Sequence, residues 1–165
     1  MELTIMTNSS PRAPLVIRED DLSGEATRVL VALHLAGMHD NSPPEQVFAL
    51  DLSGLQAPDI TFWSVWRGEQ IAGIGALKML PDGSGELKSM RTHPQCLRQG
   101  VAACLLAHIL AEARRRGLHR LSLETGSGSA FEPALALYRR HGFVNGEAFA
   151  EYTASEFNQF LHLPL

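Results

Sequence analysis

Arg98, Gly100, Ala102 and Ala103 stand where a strand-forming segment gives way to a helix, and their types at that spacing suit the capture of an anion. The first N–H groups of a helix have no intrahelical partners, and the macrodipole places partial positive charge at the same point. Gly100 admits a ligand close to the backbone, the two alanines keep the adjoining surface low, and Arg98 adds a full positive charge. A pyrophosphate suits such a cradle. The competing reading is a plain strand-to-helix turn with a solvated arginine.

The elements that must position this cradle follow from pattern. Glu86 to Thr92 alternates as a strand, and His93-Pro94 ends it because proline gives the ladder no N–H. Gln95 to Gln99 forms a polar elbow. A helix then runs from Gly100 to Arg116, with Gly117 at C′. It is apolar on nearly every side through Ala111, which predicts burial against a sheet, and His108 reads as a packed histidine rather than a catalytic one. Upstream, Thr61 to Arg67, Ile71 to Leu80 and the Glu86 strand form an antiparallel meander, with Gly73 and Gly75 allowing close approach to the middle strand. Downstream, His119 to Glu124 follows the long helix as a βαβ unit and should pair parallel to the Glu86 strand.

The flanks are less sharply patterned. Leu15 to Arg18 reads as a first strand. Ala26 to Gly37 reads as a helix with Val29, Leu30, Leu33 and Ala36 on one stripe and Gly37 as its stop. Between Met38 and Asp59, Glu45 to Leu52 is expected to form a short helix. Phe131 to His141 is a helix with Pro133 in its first turn, and the residues after Gly142 supply the terminal strand or strands.

Composition narrows the function. A chain of 165 residues predicts one domain, placed at 15–165 behind a loose arm at Met1–Pro14. A net charge of −4 opposes nonspecific nucleic-acid binding, so no nucleic-acid partner is expected. No apolar run approaches the roughly 20 residues of a membrane span, and the first residues lack a secretory pattern. Cys96 and Cys104 fit a reduced, cytoplasmic protein. Seven histidines without ligand spacing predict no metal site. The glycine patterns of nucleotide-binding loops are absent, which argues against a nucleotide-binding domain.

The run from Ser89 to Gly117 resembles the acetyl-CoA-binding motif of the Gcn5-related N-acetyltransferases, the GNAT superfamily, written Gln/Arg-x-x-Gly-x-Gly/Ala. Gly100 matches its glycine and Ala102 its Gly/Ala position, while Leu97 stands where the family has Gln or Arg. Ala134 to Phe143 is similar to a second signature of the family, with Leu137, Tyr138, Gly142 and Phe143 in order. Phe131 replaces an asparagine common there. The resemblance implies an α/β fold of the mixed α+β kind: a central mixed, mostly antiparallel sheet flanked by helices, with a strand–helix–strand core that holds acetyl-CoA.

It also implies transfer of an acetyl group from acetyl-CoA directly to a primary amine. The family's pattern assigns Met90, Arg91 and Thr92 to the pantetheine arm and the Met90 N–H to the thioester oxygen. Arg98, Gln99, Gly100, Val101, Ala102 and Ala103 would hold the pyrophosphate. Tyr138 falls where the family places a hydrogen bond to the departing thiolate. Glu86 resembles the general base of some members. It shares strand parity with Met90 and Thr92, which predicts a common face, and Lys88 could pair with it. Glu124 is the rival base, and deprotonation through a water chain is the third alternative. Met38, His39, Asp40, Phe48 and Asp51 are candidate acceptor contacts. The acceptor, small molecule or protein amine, stays open, as do a homodimer and the alternative of a catalytically silent acyl-CoA-binding sensor.

Overall fold

A computed structural model describes residues 12–165, so most of the arm expected at Met1–Pro14 lies outside the described residues. Seven strands form one sheet in the order β1-β2-β3-β4-β5-β7-β6. They are β1 (Leu15–Glu19), β2 (Ile60–Arg67), β3 (Gln70–Met79), β4 (Gly85–Thr92), β5 (Arg120–Thr125), β6 (Val144–Gly146) and β7 (Gln159–Pro164). Every pairing is antiparallel except β4 with β5, joined through helix α3 (Val101–Arg115) as the sequence predicts. The expected mixed, mostly antiparallel sheet is therefore present. Among the described residues no helix is long and apolar enough to cross a membrane.

Two cores sandwich the sheet. On one face, α3 and α4 (Glu132–Arg140) cover Leu77, Leu87, Leu121 and Leu123, with Leu105, Leu106 and Ile109 of α3 essentially excluded from water. Burying each such side chain is worth about 1.5–3 kcal/mol. Gly73 and Gly75 make this contact possible. A Cβ at Gly73 would lie 2.8 Å from Val101 Cγ1, and one at Gly75 would lie 2.9 Å from Leu105 Cδ2. On the other face, α1 (Glu25–Asn41) and the short α2 (Leu52–Leu55) cover Phe62, Ile71, Ile74 and Ala76.

Helix α1 departs from the expected stripe. Its buried residues are Thr27, Leu30, Val31 and His34, while Val29 and Leu33 are exposed. The spacing is helical, but two of the four inward positions are polar because each has a tertiary partner. Thr27 donates to Asp20 Oδ2 at 2.9 Å, and His34 Nδ1 accepts from Arg91 Nε at 3.0 Å. Gly37 does not stop the helix, which continues to Asn41. Its missing side chain leaves room for the Arg91 guanidinium, since a Cβ there would lie 2.8 Å from Nη2. The helix expected at Glu45–Leu52 is replaced by a 3-10 turn, Pro44–Gln46, and α2, which Asp51 caps by accepting from the Gly54 N–H. His108 is exposed at the side of α3, edge-on to Trp63, instead of packed.

Candidate active site

The site begins at a fork in the sheet. β4 and β5 pair only at Gly85–Leu121 and Glu86–Ser122, then part company. Beyond that point the β5-facing edge of β4 has no ladder partner among the described residues, and a cleft of about 490 Å³ opens between the strands. Its walls come from β4, β5, the start of α3, α4 and the inner side of α1.

A β-bulge decides what each wall presents. Ala76 of β3 pairs with Lys88, but Ile74 pairs with Arg91, so β4 carries one extra residue, and Ser89 takes φ +58°. A bulge shifts the side-chain alternation by one. Before it, Glu86 and Lys88 face the α1 side and Leu87 the α3 side. After it, Met90 faces α3, its sulfur against the backbone at Gly75, and Arg91 faces α1. The parity argument that placed Glu86 on one face with Met90 and Thr92 fails at Ser89: Glu86 lies on the opposite face. Even spacing along a sequence cannot register an inserted residue.

The α3 end has the features expected of an anion cradle. Arg98 and Gly100 both adopt positive φ, +59° and +78°, so the chain turns sharply into the helix. Among the described residues no side chain caps the α3 N-terminus. Arg98, Gly100, Val101, Ala102 and Ala103 all line the cleft, as do Met90, Arg91 and Thr92. Gln99 does not; its amide turns back to the Gln95 carbonyl. The residues present fit a diphosphate, because uncapped N–H groups and an αL turn converge where nothing larger than a hydrogen projects from Gly100.

Ionisable side chains crowd the α1 face of the fork. Glu86 is buried, and its Oε2 accepts from Tyr152 Oη at 2.5 Å and from Lys88 Nζ at 3.1 Å. Lys88 also donates to Tyr152 Oη at 2.9 Å. Tyr152 arrives on the loop between β6 and β7, its ring set edge-on against Phe48 and Phe149. Burial, and then the Glu86 charge and hydrogen bond, push its phenol well above the ordinary value. Glu124 lies on β5 two residues past Ser122 and so shares this face. Burial raises its carboxyl to about 7; Lys88 opposes the shift and Glu86 adds to it. Among the described residues no side-chain donor holds Glu124. Tyr138, on α4, also lines the cleft, and burial raises its phenol to about 12.

The structure thus gathers Glu86, Glu124, Met90, Thr92, Tyr138 and the α3 cradle around one cleft. Of the candidate acceptor contacts, Met38 and Phe48 line it; His39, Asp40 and Asp51 do not. Sequence reading missed Tyr152 and the turn of Arg91 toward His34. Neither had a local signal, because one depends on a long loop and the other on the bulge.

A family model, described as the acetyltransferase (GNAT) family, matches residues 28–143. The chain belongs to this family. It is 54% identical over 149 residues to the uncharacterized N-acetyltransferase YedL of Escherichia coli (strain K12), spanning 90% of this chain and 94% of that one. It is 33% identical over 151 residues to an IAA acetyltransferase of Azospirillum brasilense, spanning 91% and 97%. Among solved structures, an acetyltransferase of Bacillus subtilis in complex with CoA superposes with a TM-score of 0.65 at 16% identity, over 92% of this chain and 99% of the other. That likeness extends the fold of this GNAT member to a protein that holds CoA.

Proposed function

We propose that this chain moves an acetyl group from acetyl-CoA directly to a primary amine while both substrates are bound. The fork carries the reading. A strand edge without a partner, an uncapped helix start and a carboxylate raised to about 7 share one cleft. Main-chain N–H groups at Arg98 to Ala103 hold the diphosphate. The parted edge of β4 at Met90 to Thr92 takes the pantetheine arm by backbone hydrogen bonds, in the manner of an added strand.

An alkyl ammonium has a pKa near 10 and cannot attack until it loses a proton. Glu124, ionised above about 7 and held by no side chain among the described residues, is the base we assign; Glu86, tied to Lys88 and Tyr152, positions Lys88 and shapes the field. The free amine nitrogen attacks the thioester carbon, and the carbonyl oxygen gains negative charge, which the Met90 N–H stabilises in this reading. As the C–N bond is completed, the C–S bond breaks and its electron pair leaves on sulfur. The nitrogen's second proton ends on that thiolate, giving CoA as a thiol and a neutral amide. A phenol raised to about 12 does not surrender its proton to a thiolate, so Tyr138 stabilises the departing sulfur by donating a hydrogen bond.

Acetyl-CoA should raise the melting midpoint, whereas ATP and NAD should not. Thiol release with a panel of amines should then appear, and Tyr138→Phe should lower kcat roughly tenfold with the KM for acetyl-CoA unchanged. A protein that is stabilised by acetyl-CoA yet silent with every amine would be a sensor, and one indifferent to acetyl-CoA would sink both readings.

A further inference from the structure

Among the described residues Arg91 has no counter-charge. No carboxylate among them pairs with its guanidinium, which is partly withdrawn from water where it lines the cleft. Such a charge is costly to leave unpaired, and a protein ordinarily supplies a carboxylate. Here it supplies His34. Nδ1 of His34 accepts from Arg91 Nε at 3.0 Å, and the His34 carbonyl accepts from Nη2 at 3.4 Å. A ring nitrogen that accepts a hydrogen bond carries no proton, so His34 is neutral at that position and orients the guanidinium without neutralising it. Burial and the Arg91 charge together hold its pKa down to about 3. Gly37, one helical turn on, leaves the space the guanidinium occupies. The guanidinium is thus held in a fixed plane against α1 at the cleft wall, and its Nη1 donors have no partner among the described residues.

The bulge places this group away from the diphosphate. Arg91 faces α1, whereas Met90 and Thr92 face α3. Arg91 thus belongs to the same face as Glu124, Lys88 and Phe48, where an acceptor approaches. That face carries Glu124 beside the fork and Arg91 farther along β4, an order of charges that complements a molecule with a cationic and an anionic end.

We infer that the acceptor is an amine that also bears a carboxylate, of the free amino-acid type, and that Arg91, oriented by His34, binds that carboxylate. The inference rests on the acetyl-transfer reading above and narrows its substrate class. A guanidinium fork matches a carboxylate in two parallel hydrogen bonds, and a site built for that contact rejects analogues that lack it.

Thiol release from acetyl-CoA would be followed with amino acids, their α-amides, the matching decarboxylated amines and short peptides carrying the same residue at the N-terminus. The wild-type protein should favour the free acid by tenfold or more in kcat/KM. Arg91→Gln should reduce that preference to about twofold, mainly through KM for the acid, and Arg91→Lys should keep part of it. The wild-type comparison needs no variant to fold. Equal turnover of acid and amide, a preference for peptides, or a preference for the acid that survives Arg91→Gln in folded protein would each overturn this inference and leave acetyl transfer standing. Absence of turnover with every amine would instead remove the reading beneath it.

Discussion

The two sides of the fork are built by different means. On the α3 side the chain offers backbone: uncapped N–H groups, the αL turn at Arg98 and Gly100, and a surface kept low by Ala102 and Ala103. On the α1 side it offers side chains gathered from separate elements: Glu86, Lys88 and Arg91 from β4, Glu124 from β5, His34 from α1 and Tyr152 from the loop between β6 and β7. A main-chain site suits a ligand that never changes, because it depends only on backbone shape. A side-chain site can be re-specified one residue at a time. On the acetyl-transfer reading proposed above, the difference separates a constant donor from an acceptor that varies.

The contrast is broken most severely at the base. Glu124→Gln should lower kcat/KM by about 10²–10³-fold and erase the rise in rate through pH 7, because the base proposed above acts in its deprotonated form. The melting shift with acetyl-CoA should remain. Glu86→Gln should behave otherwise. It removes the charge that balances buried Lys88, so the loss should appear as stability, about 3–5 kcal/mol by urea titration. If Glu86→Gln abolished the pH dependence and Glu124→Gln did not, the roles would be reversed.

A smaller effect tests the pairing of α1 with β4. The folded protein holds His34 at about 3, below its unfolded value of 6.5. Above 6.5 neither state binds this proton, and its contribution to stability is fully present. As pH falls from 6.5 toward 3 only the unfolded chain takes it up, so that stability is lost. Between pH 6.5 and 5 the loss should reach about 2 kcal/mol. His34→Gln should flatten that part of the curve by a comparable amount, measured as urea midpoint against pH.

The smallest effect lies on the main-chain side. At φ +78° an alanine in place of Gly100 would be strained by about 1 kcal/mol, although nothing lies near its Cβ. Gly100→Ala should raise the KM for acetyl-CoA about fivefold and leave the pH profile untouched. A change in acceptor preference with that variant would mean that the two sides are not independent.

Much of the framework was legible. Gly100, Ala102, Tyr138 and Phe143 marked the family, the meander and the βαβ unit followed from alternation and turn residues, and every cradle residue but Gln99 came to the cleft. Helix α1 was misread because Thr27 and His34 look like surface residues until Asp20 and Arg91 are brought to them. Glu86 was placed on the wrong face because one inserted residue at Ser89 reverses the alternation. Tyr152 carried no signal, since its partner Glu86 stands sixty-six positions away in the chain.

By itself the order of residues determined what is local: which segments pair or coil, where the chain must turn left-handed, and where helix N–H groups are left without partners. Those properties depend on neighbours a few positions apart, so spacing reveals them. Only the folded molecule decided which carboxylate is tied to a lysine and which is left free, and which way Arg91 points. Charge and proton affinity depend on burial and on groups brought together across the sheet, and no local pattern contains those distances.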